Sequence, residues 1–131
     1  MTATIYNIII EQGADWFGGG ALYEPLEDGR PDFDNPIDIS GFTAKMVGRP
    51  RLNGKPASGV TKFSITDVDG ADGRVTMGAG GTFEVRIKAA KTDTLTAPDK
   101  FVYDLVFERP DGVILRIWEG QATVTPGVAT L

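Results

Sequence analysis

The 131-residue sequence contains no cysteine and no histidine. Without cysteine there is no disulfide, no soft-metal ligand and no thiolate nucleophile, and without histidine the side chain that titrates nearest neutrality is missing. These absences remove most simple routes to catalysis, so the residues point to a non-enzymatic binding or structural module. Missing cysteine suits both a reducing compartment and a particle that must survive outside a cell. Long apolar runs are scarce too. The longest, Trp16 to Tyr23, includes three glycines and is too short to cross a bilayer, and the N-terminus has neither a basic leader nor a secretory apolar core, so no membrane is expected as a partner. Basic residues are outnumbered, 13 against 18 Asp and Glu, for a net charge of -5. That balance opposes attraction to phosphate backbones and argues against nucleic acid.

What is abundant is punctuation. Seventeen Gly and eight Pro exceed the usual share and break the chain into short segments within one domain spanning residues 1–131. Period-two apolar alternation recurs between the breaks. Ile5 to Ile10 predicts a strand covered on both faces, and Phe42, Ala44 and Met46 form the inward side of another. Lys62 to Thr66, Arg74 to Met77 and Thr82 to Lys88 continue the pattern. Arg49 to Gly59, with Pro50, Asn53-Gly54 and Pro56, reads as a turn-rich connection, and Glu24 to Asn35 as a solvated acidic loop ended by Pro36. Ala89 to Leu95 allows one helical turn before Pro98. Phe101 to Glu108, then Pro110-Asp111-Gly112, then Val113 to Val124 is a hairpin, with a bulge or bend expected at Gly120.

Many short strands with turn signals and barely any helix predict an all-β, antiparallel two-sheet immunoglobulin-like sandwich, with an OB-like or jelly-roll barrel as the alternative. The expected core is Ile8, Ile10, Phe42, Ala44, Met46, Phe63, Ile65, Phe83, Val85, Ile87, Tyr103, Leu105, Phe107, Ile114 and Trp118.

Two acidic clusters merit chemical scrutiny. Asp67, Asp69 and Asp72 alternate on a Gly-rich stretch, as oxygen ligands for a hard cation would, yet Ala71 interrupts the series and no Glu follows at the twelfth position of a calcium loop. A connecting turn is the plainer reading, and no metal and no cofactor is expected. Glu24, Glu27, Asp28, Asp32 and Asp34 could supply paired carboxylates for glycoside hydrolysis, but nothing in the sequence sets two of them across a cleft.

The segment Trp16-Phe17-Gly18-Gly19-Gly20 is the least regular. It lacks the Lys and Ser/Thr of a phosphate loop. Three glycines in a strand imply a bulge, a kink or close approach of another backbone, and two adjacent large aromatics point to opposite faces. These residues, with Tyr23 and with Phe33 in the acidic loop, are expected to contact another protein chain carrying a basic patch; self-association is open. The competing reading has Trp16 capping its own core while the glycines bulge.

Several stretches resemble a known family. Pro36-Ile37-Asp38-Ile39-Ser40-Gly41-Phe42-Thr43-Ala44-Lys45-Met46 is similar to the strand entry P-I-D-L-T-G-Y-T-A-R-M of tailed-phage and prophage proteins related to the immunoglobulin-like N-terminal domain of the upper baseplate protein. Thr82 to Ile87, Ala89 to Leu95, Phe101 to Leu105, Asp111-Gly112 and Glu119 to Pro126 follow that family's C-terminal order, and Glu11 to Trp16 resembles its opening E-Q-G-A-D-F. The chain departs from the family at Gly18-Gly19-Gly20 and in the acidic insertion 24–35. The resemblance implies a bacteriophage virion structural protein, made in the bacterial host cytoplasm and placed in the tail or baseplate, that docks receptor-binding fibres or neighbouring tail proteins. It implies no catalytic residues. A capsid decoration or cement protein and a carbohydrate-binding module are the alternatives, since fold does not set assembly role.

Overall fold

The computed structural model describes residues 3–52 and 54–128. The strands run in the order β1 (Thr4–Ile5), β2 (Ile8–Glu11), β3 (Trp16–Ala21), β4 (Tyr23–Pro25), β5 (Pro31–Pro36), β6 (Thr43–Arg49), β7 (Arg51–Leu52), β8 (Lys55–Pro56), β9 (Phe63–Thr66), β10 (Gly73–Met77) and β11 (Thr82–Ile87). A single helical turn, α1 (Ala89–Thr92), then leads into β12 (Asp99–Glu108) and β13 (Ile114–Thr125). One sheet has the order β1-β13-β12-β6-β9, with β2 also on β13, and the other has the order β10-β11-β3. Pairing is antiparallel throughout except that β1 and β2 lie parallel to β13. In immunoglobulin letters β3, β10 and β11 take the places of B, D and E, and β6, β12 and β13 those of C, F and G. The protein is an all-β, immunoglobulin-like sandwich.

Alternation builds the core directly. β11 buries Phe83, Val85 and Ile87, and β12 buries Phe101, Tyr103, Leu105 and Phe107. The sheets interlock through aromatics: Phe83 meets Phe107 edge-on at 5.2 Å between ring centroids and lies 5.3 Å from Trp118. Such crossed rings place the electropositive edge of one on the face of the other.

Four expectations are corrected. Ile5 to Ile10 is not covered twice: Ile8 and Ile10 are buried, whereas Ile5 and Ile9 are exposed, because β1 and β2 turn one face to solvent. Ile114 is 58% exposed rather than in the core. The cause is a bulge: Leu105 pairs with Trp118 but Val106 pairs with Arg116, so Ile117 is the extra residue and both Ile117 and Trp118 are buried. The bulge lies at Ile117, not Gly120, whose missing side chain instead admits the Tyr6 carbonyl. That carbonyl accepts a hydrogen bond from the Tyr103 hydroxyl. Fourth, the acidic stretch 24–35 is a short antiparallel hairpin, β4 on β5, rather than a loop. Within the connection from Arg49 to Gly59, β7 and β8 also pair as a small hairpin; the Asn53 turn position lies outside the described residues.

Candidate functional site: an open sheet edge

Glycine and the lack of charge make β3 an unusual edge strand. It pairs with β11 in continuous register from Trp16 opposite Ile87 to Ala21 opposite Thr82, so the expected bulge is absent from this pairing, whereas the expected close approach of another backbone occurs at Gly19, where a side chain would meet the Phe83 carbonyl. Gly18 and Gly20 make room for rings. A side chain at Gly18 would collide with the Trp16 indole, and one at Gly20 would press on Phe83. Trp16 therefore lies along its own strand and packs, partly buried, against the core. Phe17 points the other way and is 58% exposed. The two aromatics divide between the sandwich interior and its outer surface, as alternation requires.

The start of β3 is clamped. One Asp15 carboxylate oxygen accepts the Ala89 N–H at 2.6 Å and the other takes the Arg86 guanidinium at 2.6 and 2.9 Å. The Ala89 N–H and the Arg86 guanidinium hold the Asp15 carboxyl below the usual carboxylate range. Arg86 also sits over the Phe17 ring, 5.9 Å from its centroid. Just upstream, the buried Thr92 hydroxyl donates to the Ala14 carbonyl at 2.8 Å and accepts the Gly13 N–H at 3.1 Å, so α1 anchors the chain entering β3.

Among the described residues nothing pairs with the far side of β3. Lys88 N–H bonds to Asp72 and the Thr82 carbonyl to Gly78, so even-numbered residues of β11 face β10 and odd-numbered ones face β3. Trp16, Gly18 and Gly20 then face β11, while Phe17, Gly19 and Ala21 direct N–H and C=O outward. Leu22 continues this parity, its N–H bonding Gly81 and its carbonyl Ile37, so Tyr23 also faces outward. Among the described residues none of these four outward positions has a main-chain hydrogen-bond partner. In the constant-type arrangement strand A covers this edge; here β1 and β2 have joined β13 instead.

Of the predicted residues, Tyr23 and Phe33 are in contact, with ring centroids 5.0 Å apart and planes at 73°. Phe33 is 72% exposed. Six positions of extended chain, roughly 20 Å, separate Tyr23 from Phe17, so the predicted residues form a line along one edge rather than one compact patch.

The aspartates of the 67–72 segment diverge. Asp67 accepts the Ala44 N–H at 3.1 Å, Asp69 pairs with Lys88 at 3.0 Å, and Asp72 accepts the Ser64 N–H at 3.1 Å. Lys88 holds the Asp69 carboxyl below its ordinary range. Among the described residues no group of three or more acids is placed to hold a metal. A feature sequence reading missed is an open cleft of about 620 Å³ on the outer face of the larger sheet, with Val47 and Val102 at its floor and Arg49, Asp104, Arg116 and Glu119 around it. Its strand residues come from β1, β6, β7, β8, β12 and β13, and only tertiary register gathers them. Arg116 stands 3.7 Å from both Asp104 and Glu119, so these charges answer one another.

No protein-family model matches the sequence, and no curated protein is significantly similar to it. Among solved structures, the titin M3 domain is similar in shape with a TM-score of 0.44 and 13% sequence identity, over 91% of this chain and 88% of that one.

Proposed function

We propose that this protein is a non-enzymatic structural component of a tailed-phage virion, placed in the tail or baseplate, where it docks a neighbouring virion protein or fibre. The observation that carries the reading is the open β3 edge, which has no charge, proline or bulge over six residues and bears exposed Phe17. Soluble proteins normally protect such edges, and an unprotected one serves as a template for another chain. The strand-entry and C-terminal segments that resemble upper-baseplate relatives support the same assignment. A sugar-binding role is less well supported, because Tyr23 and Phe33 meet edge to face and so present no coplanar platform for stacking.

Gold labelling of a tagged chain on purified particles tests the assignment. Label at the tail or its distal end is the expected result, with incorporation reduced by Phe17→Asp. Label on the capsid, or absence of the chain from particles, overturns it.

A further inference from the structure

The β3 edge has a charge gradient along it. Residues 23–36 contain five carboxylates, Glu24, Glu27, Asp28, Asp32 and Asp34, against one Arg30, so this hairpin carries a net -4 of the chain's -5. Arg30 is itself bound to Asp28 at 2.6 Å. At the opposite end of the edge Arg86 is neutralised by Asp15. Midway, a shallow groove runs along Phe17, Gly18, Gly19, Phe83 and Glu84, where Gly19 offers no side chain.

We propose that this edge binds an extended segment of a partner protein by β-strand addition, antiparallel to β3, with Lys or Arg at the segment's N-terminal end and a large apolar side chain opposite Gly19. The inference rests on the reading of β3 as a virion docking edge and names what docks there. Phe17, Gly19, Ala21 and Tyr23 each exchange main-chain hydrogen bonds with the residue opposite, which supplies affinity, and the pocket for alternate side chains supplies selection. An antiparallel strand begins beside Tyr23, so its first residues lie next to the acidic hairpin, where basic groups meet complementary charge and speed encounter. Its residue opposite Gly19 shares the outer face with Phe17 and fills the groove as aromatic residues do across from glycine in sheets. A second copy of this chain fits less well. Self-pairing about Gly19 sets glycine against glycine, leaves the groove empty and brings together two bodies of charge -5.

Selection of ten-residue peptides from a random surface-displayed library against the full chain is the test. Enriched peptides are expected to alternate apolar residues, to carry Lys or Arg in the N-terminal half, and to slow hydrogen exchange at Phe17, Gly19, Ala21 and Tyr23. Ala21→Pro removes an outward N–H that β11 does not use, and is expected to weaken those peptides about tenfold or more, the loss of one or two hydrogen bonds, at an unchanged unfolding midpoint. Ala21→Lys serves if the proline variant does not fold. The proposal is overturned by failure to enrich any peptide, by acidic peptides, by binding indifferent to both variants, or by protection elsewhere. It is equally overturned if sedimentation finds a dimer of the chain that Ala21→Pro dissociates, which assigns the edge to a second copy. Peptide binding without incorporation into particles removes the virion reading alone, and incorporation unaffected by Ala21→Pro removes the strand-addition proposal alone.

Discussion

Asp15 grips Arg86 through two guanidinium nitrogens, at 2.6 and 2.9 Å, and thereby fixes both the first residue of the open edge strand and the cation that covers Phe17. The pair joins positions 71 residues apart in sequence. It ties the geometry of the open edge to a single titratable carboxylate.

Acid sensitivity follows from that carboxylate. Asp15 is lowered by the Ala89 N–H and then Arg86, Asp69 by Lys88, and Asp38 by the Ser40 hydroxyl and N–H. Each favours the folded state when ionised, so its contribution is present above the ordinary aspartate value of 3.8 and is lost as pH falls through the lower folded value. Melting temperature measured against pH should fall below about pH 4, and Asp15→Asn should flatten that fall.

Alkaline behaviour depends on Tyr103. Burial, and to a smaller extent the neighbouring Tyr6, pushes its hydroxyl well above the ordinary value of 10.0, while the neutral hydroxyl donates to the Tyr6 carbonyl. The raised folded value means that its stabilisation is complete below pH 10 and declines as pH rises toward the folded value. Tyr103→Phe should cost about 0.5–1.5 kcal/mol at neutral pH, the net worth of one hydrogen bond, and should remove this alkaline decline in urea titrations.

Glycine at position 18 is a packing requirement. Gly18→Ala drives a methyl into the Trp16 ring and should destabilise by about 1–3 kcal/mol, the cost of overpacking. Gly80→Ala, which meets nothing within 4 Å and has no positive φ, should stay within about 0.5 kcal/mol of the parent protein. Equal urea midpoints for the two variants would contradict the packing of Trp16 along β3.

The core assignments separate cleanly by substitution. Leu105 is fully buried between the sheets, and Leu105→Ala should cost about 2–5 kcal/mol through lost transfer energy and a cavity. Ile114→Ala, at an exposed position beyond the Ile117 bulge, should shift the urea midpoint little, by about 0.5 kcal/mol or less.

Alternation in the sequence determined the class of fold, the hairpin of β12 and β13, and most inward-facing residues, because a side chain's face in a strand depends only on its place in a two-residue period. It also marked Phe17, Tyr23 and Phe33 as candidates, since large apolar residues beside glycines or acids conflict with local pattern. Only tertiary structure decided the rest. The bulge at Ile117 shifts register through pairing with β12, and no local pattern encodes a partner strand's register. Glycines 18 and 20 serve the Trp16 and Phe83 rings, one of them 63 positions away on β11. The open edge itself exists because β1 and β2 pair with β13 rather than β3. Ile8 and Ile10 face inward in the sequence pattern whichever sheet they join, so alternation does not choose between the two sheets, and the main-chain pairing of β2 with β13 is visible only in the folded chain.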